Sequence, residues 1–267
     1  MYKTENFQAN NHAFQSGDSV KVTFFVRNGA IVMAEECYFF LMASMRKLRM
    51  NIPLTYTLEF FQELITENVI GTGHANAFVD FMLYRNWDQK PMQKSQVDFI
   101  FNINDTDDVL DLQKSVAIDL IKEININTNL LSNIRTHCPE NIYGQIYAQE
   151  NDLQDLILLN PNKRIARTLF GNILLLQDKY IRIPKQSEGA YISPLMENFV
   201  TFVHKKNLAF VEPEEITGFE TQKADEILII SDELGLYTVS QIRNKTFGNE
   251  RFKEIIKEWK ESFESQA

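Results

Sequence analysis

The chain has 267 residues, 44% hydrophobic and 24% charged, which allows one large domain or two modest ones and excludes disordered, collagen-like and mucin-like classes. Lysine and arginine number 27 against 36 aspartates and glutamates, and the net charge of −9 argues against tracking of nucleic-acid phosphates. No apolar run reaches membrane-span length, the opening MYKTENFQANN lacks the apolar core of a leader, and Cys37 and Cys138 make no disulfide framework. The expectation is a cytoplasmic protein without a nucleic-acid or membrane partner, whose 20 phenylalanines serve core and interface.

Residues 19–35 read as a hairpin: Val20, Val22, Phe24 and Val26 alternate, and Asn28-Gly29 is a favoured two-residue turn. A helix is expected over about 34–50, with Tyr38, Leu41, Met42, Met45, Leu48 and Arg49 at three-and-four spacing and Pro53 closing it. Thr57 can cap a second helix carrying Phe60, Phe61, Leu64 and Ile65. Residues 77–84 and 97–103 read as strands of the same sheet, the latter alternating through Val97, Phe99, Phe101 and Ile103. The acidic stretch Asn104–Asp108 then marks a composition shift and the best place for an interdomain linker.

In the second half, Pro139 opens a helix followed by Ile142, Ile146 and Tyr147. Leu156, Leu158 and Leu159 are strand-like, and Ile173–Leu176 with Tyr180–Ile183 form a hairpin about Gln177-Asp178-Lys179. Ser193-Pro194 starts a helix with Leu195, Phe199 and Val203 on one face. Residues 227–230 are a buried strand, and Phe252, Ile255, Ile256, Trp259 and Phe263 make the final helix amphipathic.

The sequence holds no GxGxxG, P-loop, HExxH or CxxC motif. Gly71-Thr72-Gly73 reads as a turn, and His12, His74, His137 and His204 lack metal-ligand spacing, so no metal is expected. His137-Cys138 reads as a surface histidine beside a partly buried cysteine more readily than as a nucleophile and its base.

Four stretches in order resemble class IV (fold type IV) pyridoxal-phosphate (PLP) enzymes, the family of D-amino acid and branched-chain aminotransferases and aminodeoxychorismate lyase. Phe14-Gln15-Ser16-Gly17-Asp18-Ser19-Val20 is similar to the family's FxYGDGVFET segment, and Glu35-Glu36-Cys37 through Arg49-Met50 to its EEHxxRLxxSxxxLxM segment. Arg164-Ile165-Ala166-Arg167 through Gly171-Asn172-Ile173 resembles xVxEGxxSNIF, and Ala224-Asp225-Glu226 through Val239 resembles ADEVFLTNTxxGIxPV. The resemblance spans about Phe14 to Phe247. It implies a two-domain mixed α/β fold, with a small N-terminal sheet-plus-helices domain at 1–106 and a larger barrel-like C-terminal domain at 113–267. It also implies a homodimer with its site near the subunit interface.

Carried over position by position, the resemblance puts Arg135 where the family has its Schiff-base lysine and Arg167 where it has the glutamate that pairs with the pyridine nitrogen. The family's phosphate-contacting arginine, hydroxyl and helix-start arginine fall at Phe40, Asp232 and Met196, its first-helix histidine at Cys37 and the tyrosine of YGD at Ser16. A guanidinium stays protonated and forms no Schiff base, and it donates where a carboxylate accepts. The resemblance therefore implies a class IV homologue that has lost PLP catalysis, with no cofactor expected and Arg135, His137, Arg167 and Asp232 as candidates for a pocket binding a small anion. Set against this, the arginines could turn outward or pair with Glu188 or Asp232, while Phe40, Leu169 and Phe170 serve as packing. The alternative is an active PLP-dependent aminotransferase or aminodeoxychorismate lyase-type enzyme with a relocated lysine, for which Lys122, Lys163 and Lys179 are the spare candidates. Gly17-Asp18 and Arg85 are expected to be structural.

Overall fold

In the computed structural model, which describes residues 2–3, 11–86 and 96–264, backbone contacts divide the chain into two units. The first comprises Met1–Val109 and Ile134–His137, the second Leu110–Asn133 and Cys138–Ala267. The first unit contains β1 (Tyr2–Lys3), α1 (His12–Ser16), β2 (Ser19–Arg27), β3 (Ala30–Val32), α2 (Ala34–Lys47), α3 (Leu58–Asn68), β4 (Ala77–Asn86) and β5 (Gln96–Asp105). After β6 (Leu112–Leu120), which belongs to the second unit, the two-residue β7 (Arg135–Thr136) returns to the first. The antiparallel sheet has the order β1-β5-β4-β2-β3, with β7 added on β2.

Asn28 and Gly29 connect β2 to β3 with φ of 51° and 74°, the paired positive angles that match hairpin twist. The buried face of α2 is Cys37, Phe40, Leu41, Met42, Ser44 and Met45, so Tyr38 and Leu48 of the expected stripe lie at its half-buried margin. This helix ends at Lys47 rather than running to about residue 50, because Arg49 turns left-handed at φ 54°. Thr57 caps α3 as expected, its hydroxyl accepting from the Phe60 amide at 3.2 Å. Phenylalanine fills the core: Phe24, Phe61, Phe81 and Phe101 are fully buried, and Phe61 meets Phe81 edge-on at 5.5 Å. Asn104–Asp108 is mostly exposed and leads to the change of unit after Val109, but it is tied to the sheet. β5 runs through Asp105, and both oxygens of the buried Asp108 accept from Arg27 Nε at 3.0 Å.

The second unit continues with α4 (Pro139–Glu150), β8 (Asp155–Leu159), β9 (Ile165–Thr168), β10 (Asn172–Gln177), β11 (Tyr180–Pro184), α5 (Pro194–Lys206), β12 (Phe210–Glu214), β13 (Glu226–Ser231), β14 (Gly235–Ile242), β15 (Lys245–Thr246) and α6 (Glu250–Glu264). Its sheet runs β12-β11-β10-β13-β14-β6-β8-β9, with β15 paired to β14. β9 packs back against β10 and β11, curling the sheet into a half-barrel. Successive residues of β8 point to opposite faces. Ile157 and Leu159 join Ile173, Leu175, Ile229 and Val239 in one cluster, and Leu156 and Leu158 join Ala148, Ala166 and Leu169 in another.

Pro139 stands in the first turn of α4, as expected, but the helix face differs from the apolar pattern. Gly144 and Ala148 face inward, while Ile142 and Ile146 are more than half exposed. The cause is close packing: a Cβ on Gly144 would lie 2.5 Å from Leu169 Cδ2. Ser193 caps α5 through the Met196 amide at 3.1 Å, and Leu195, Phe199 and Val203 are buried.

Gly171 precedes β10 against the backbone of β13, where a Cβ would lie 2.3 Å from the Ile230 carbonyl oxygen. That neighbour is backbone within a paired strand and cannot move alone. Gly171→Ala is therefore expected to lower stability by about 1–3 kcal/mol, read from urea denaturation followed by circular dichroism. An unchanged midpoint would contradict this packing.

Candidate functional site

The sequence-selected residues divide between the units: Arg135, His137 and Phe40 lie in the first, and Arg167, Asp232 and Met196 in the second. Arg135 is 8% exposed on β7, opposite Lys21 of β2 in register. Next to it, His137 packs on Gly17, which caps α1 at φ 67°. A Cβ on Gly17 would lie 2.5 Å from His137 Cβ, so glycine is required there for both its angle and its lack of side chain. Asp18 pairs with Arg85, which also donates to the Leu48 carbonyl, so this turn is tied to β4 and to the end of α2. Phe40 and Cys37 are buried core residues of α2.

Arg167 is the distinctive group of the second unit. It sits on β9 and is 3% exposed. Nη1 donates to the Gly189 carbonyl at 3.1 Å, and Nη2 lies 3.4 Å from Asn141 Oδ1 and 3.6 Å from Cys138 Sγ. The guanidinium carbon stands 4.2 Å from the centroid of the Tyr191 ring, a cation–π contact. Nε is buried and has no hydrogen-bond acceptor, and no carboxylate among the described residues pairs with this side chain. Arg167 thus neither turns outward nor pairs with Glu188. The Glu188 carboxylate instead accepts from Asn160 at 2.5 Å and Arg164 at 3.2 Å.

Three residues that sequence reasoning missed build this cage. Asn141, on the first turn of α4, donates to the Leu169 carbonyl at 3.3 Å and the Tyr191 hydroxyl at 3.2 Å. Asn172 clamps the Tyr191 backbone, donating to its carbonyl and accepting from its amide, both at 2.9 Å. Asn172 stood within a quoted stretch, whereas nothing local marks Tyr191 or Asn141. The Cys138 thiol donates to Glu140 Oε2 at 3.2 Å, and burial pushes its pKa up despite the nearby Arg167.

Asp232 is 3% exposed beyond β13, and its Oδ1 accepts from Ser193 Oγ at 2.6 Å. Because Ser193 also caps α5, an internal carboxylate is linked to the N-terminus of that helix, where the macrodipole favours a negative charge. Burial and then the charge of Asp232 raise the pKa of Glu197 on the first turn of α5. Met196 is buried beside this cap, and Lys122, Lys163 and Lys179 are all exposed. Among the described residues no cluster of histidine, cysteine, aspartate or glutamate could hold a metal, and no helix is long and apolar enough to cross a membrane.

The Amino-transferase class IV family model matches residues 23–242. A putative 4-amino-4-deoxychorismate lyase from Legionella pneumophila shares the fold with a TM-score of 0.85 at 16% identity, over 97% of this chain and 96% of its own. A branched-chain aminotransferase from Thermoproteus uzoniensis, solved with norvaline, gives 0.85 at 14% identity over 96% and 89% of the two chains. The PLP form of a branched-chain amino acid aminotransferase from Thermobaculum terrenum gives 0.83 at 14% over 97% and 89%. These identities carry the fold alone. No curated protein matches the sequence. The two-domain mixed α/β architecture and a family match over most of its length lead to one conclusion: the chain belongs to the class IV aminotransferase family.

Proposed function

We propose that this class IV chain does not run Schiff-base chemistry on PLP and instead uses the Arg167 cage to hold a small carboxylate or phosphate. The observation that carries this reading is a guanidinium, 3% exposed, without a carboxylate partner and with an unsatisfied Nε. An unpaired buried charge is costly, and a bound anion would offset that cost with charge-assisted hydrogen bonds.

The donor set does not fit PLP at the positions the resemblance assigns. Arg135 replaces the lysine and cannot supply a neutral amine. Arg167 brings a positive charge where the cofactor's ring nitrogen needs an acidic partner. Asp232 already takes the Ser193 hydroxyl and would repel a phosphate. The homodimer and cytoplasmic location belong to the same reading, and the exposed Ile142, Tyr143 and Ile146 of α4 offer apolar surface to a second copy. The rival, an active PLP enzyme with a relocated lysine, draws on family membership. It needs a desolvated lysine, and the three spare ones are exposed.

The test is thermal unfolding of wild type and Arg167→Met with inorganic phosphate or malonate. Without anion, the variant is expected to lose about 1–3 kcal/mol, because the Gly189 carbonyl and Asn141 oxygen lose their donor. With anion at about a hundred times its Kd, wild type gains roughly 2.7 kcal/mol and the variant gains nothing. A wild type indifferent to both anions would overturn the anion reading.

A further inference from the structure

We propose that the second unit carries a separate binding site, independent of Arg167, for a small phosphate ester bearing a planar ring, of the nucleoside diphosphate kind. The site is a cavity of about 780 Å³, within the size range of small-molecule sites. It lies where three turns distant in sequence converge: the end of β6, the β8–β9 turn and the β14–β15 turn, with residues 217–222 along its side.

Its charge runs against the rest of the molecule. In a chain of net charge −9, the cavity is lined by Lys122, Lys163, Arg243 and Lys245 and by one carboxylate, Asp119. Asp119 is already engaged by Arg243 Nε at 3.0 Å. Lys122 and Lys163 have no acidic partner among the described residues. A focused positive cleft on an acidic protein concentrates anions that the rest of the surface repels.

The cations are placed by built structure. Lys163 is held at a left-handed φ of 60° in a turn organised by the fully buried Asn160. The side-chain oxygen of Asn160 accepts from the amides of Asn162 and Arg164 at 3.0 and 3.1 Å, and its carbonyl accepts from the Lys163 amide at 2.9 Å. The Lys245 ammonium donates to the carbonyls of Gln222 at 2.5 Å and Ala224 at 2.8 Å, which fixes its charge. Gly218 lets the 217–222 segment approach β6: a Cβ there would lie 2.3 Å from Leu120 Cδ1.

The remaining lining selects the ligand. Leu120, Leu159 and Ile242 give an apolar floor, and the Phe219 ring is 73% exposed at the same cavity. Inorganic phosphate alone would leave this apolar surface wet. A planar ring can stack on Phe219 and cover the floor while its phosphates reach the lysines, which act as point charges rather than planar forks.

Calorimetric titration with ADP, pyrophosphate and adenosine at low ionic strength tests the assignment. ADP is expected to bind more tightly than either half, with an affinity that falls as salt is added. Lys122→Glu/Lys163→Glu should weaken ADP at least tenfold, Phe219→Ala should weaken ADP while sparing pyrophosphate, and ADP should bind Arg167→Met as it binds wild type. No ADP binding at millimolar concentration, or binding indifferent to the lysine pair, overturns the site. Equal affinity for pyrophosphate and ADP overturns the ring assignment, and loss of ADP binding in Arg167→Met would place the ligand at the arginine cage instead.

Discussion

Trp259→Ala is expected to lower stability by roughly 3–5 kcal/mol, the range for truncating a large aromatic in a core. α6 is charged on its outer face and is held through Phe252, Ile255, Ile256 and Trp259. Trp259 is fully buried between Phe199, edge-on at 5.2 Å, and Phe263 at 5.8 Å. Its indole N–H donates to Asn198 Oδ1 at 3.0 Å, so truncation leaves a cavity and also strips a polar partner on α5. Trp259→Phe should recover most of the loss, because the ring contacts persist and only the hydrogen bond is missing. Urea denaturation followed by circular dichroism reads both variants. A loss below 1 kcal/mol for alanine would mean that α6 is not anchored by this residue.

The second large effect is a pH dependence centred on Asp155. This carboxyl is fully buried, and burial pushes its pKa up from 3.8 to about 6, against the hydrogen bonds of Tyr237, Thr168 and the Leu156 and Leu169 amides, which pull it down. Its Oδ2 accepts from the Tyr237 hydroxyl at 2.7 Å, and its Oδ1 accepts from the two amides at 2.7 and 2.9 Å. A folded pKa above the unfolded value means that the folded state holds the proton more tightly. The stabilisation is fully present below pH about 4 and is lost as pH rises through about 6. A separation of about two pH units corresponds to roughly 3 kcal/mol. Asp155→Asn keeps an oxygen for the two amides and replaces the titrating carboxyl with a neutral group, so it should remove this part of the profile and gain most relative to wild type above pH 7. Superimposable pH profiles for the two proteins would contradict it.

What the sequence revealed follows from where the determinants lie. The Asn28-Gly29 hairpin, the Thr57 and Ser193 caps and the buried stripe of α6 rest on signals within a few residues, and each is found. β6 was missed because only its second half alternates: Val116, Ile118 and Leu120 pack on one cluster, while Gln113, Lys114 and Ser115 are exposed and Ile118 alone is fully buried. The inward face of α4 was misread because it is set by the fit of Gly144 against Leu169, a contact between residues 25 positions apart in sequence. Asn104–Asp108 reads as a polar linker by composition, which does not reveal that Arg27, at the same end of the sheet, draws Asp108 inside. At the site, readable flanks locate Arg135 and Arg167. The surroundings of Arg167 come from Asn141, Gly189 and Tyr191 on three separate segments, and no sequence motif joins them.

Loss of Schiff-base chemistry is measured by adding PLP to the purified protein, recording its visible absorbance and treating it with borohydride before peptide mapping. No Schiff-base absorbance and no pyridoxyl-modified lysine are expected at saturating PLP. A band that reduction traps on a single lysine, such as Lys21 opposite Arg135 in register, would contradict that loss and return the chain to the active enzymes of its family.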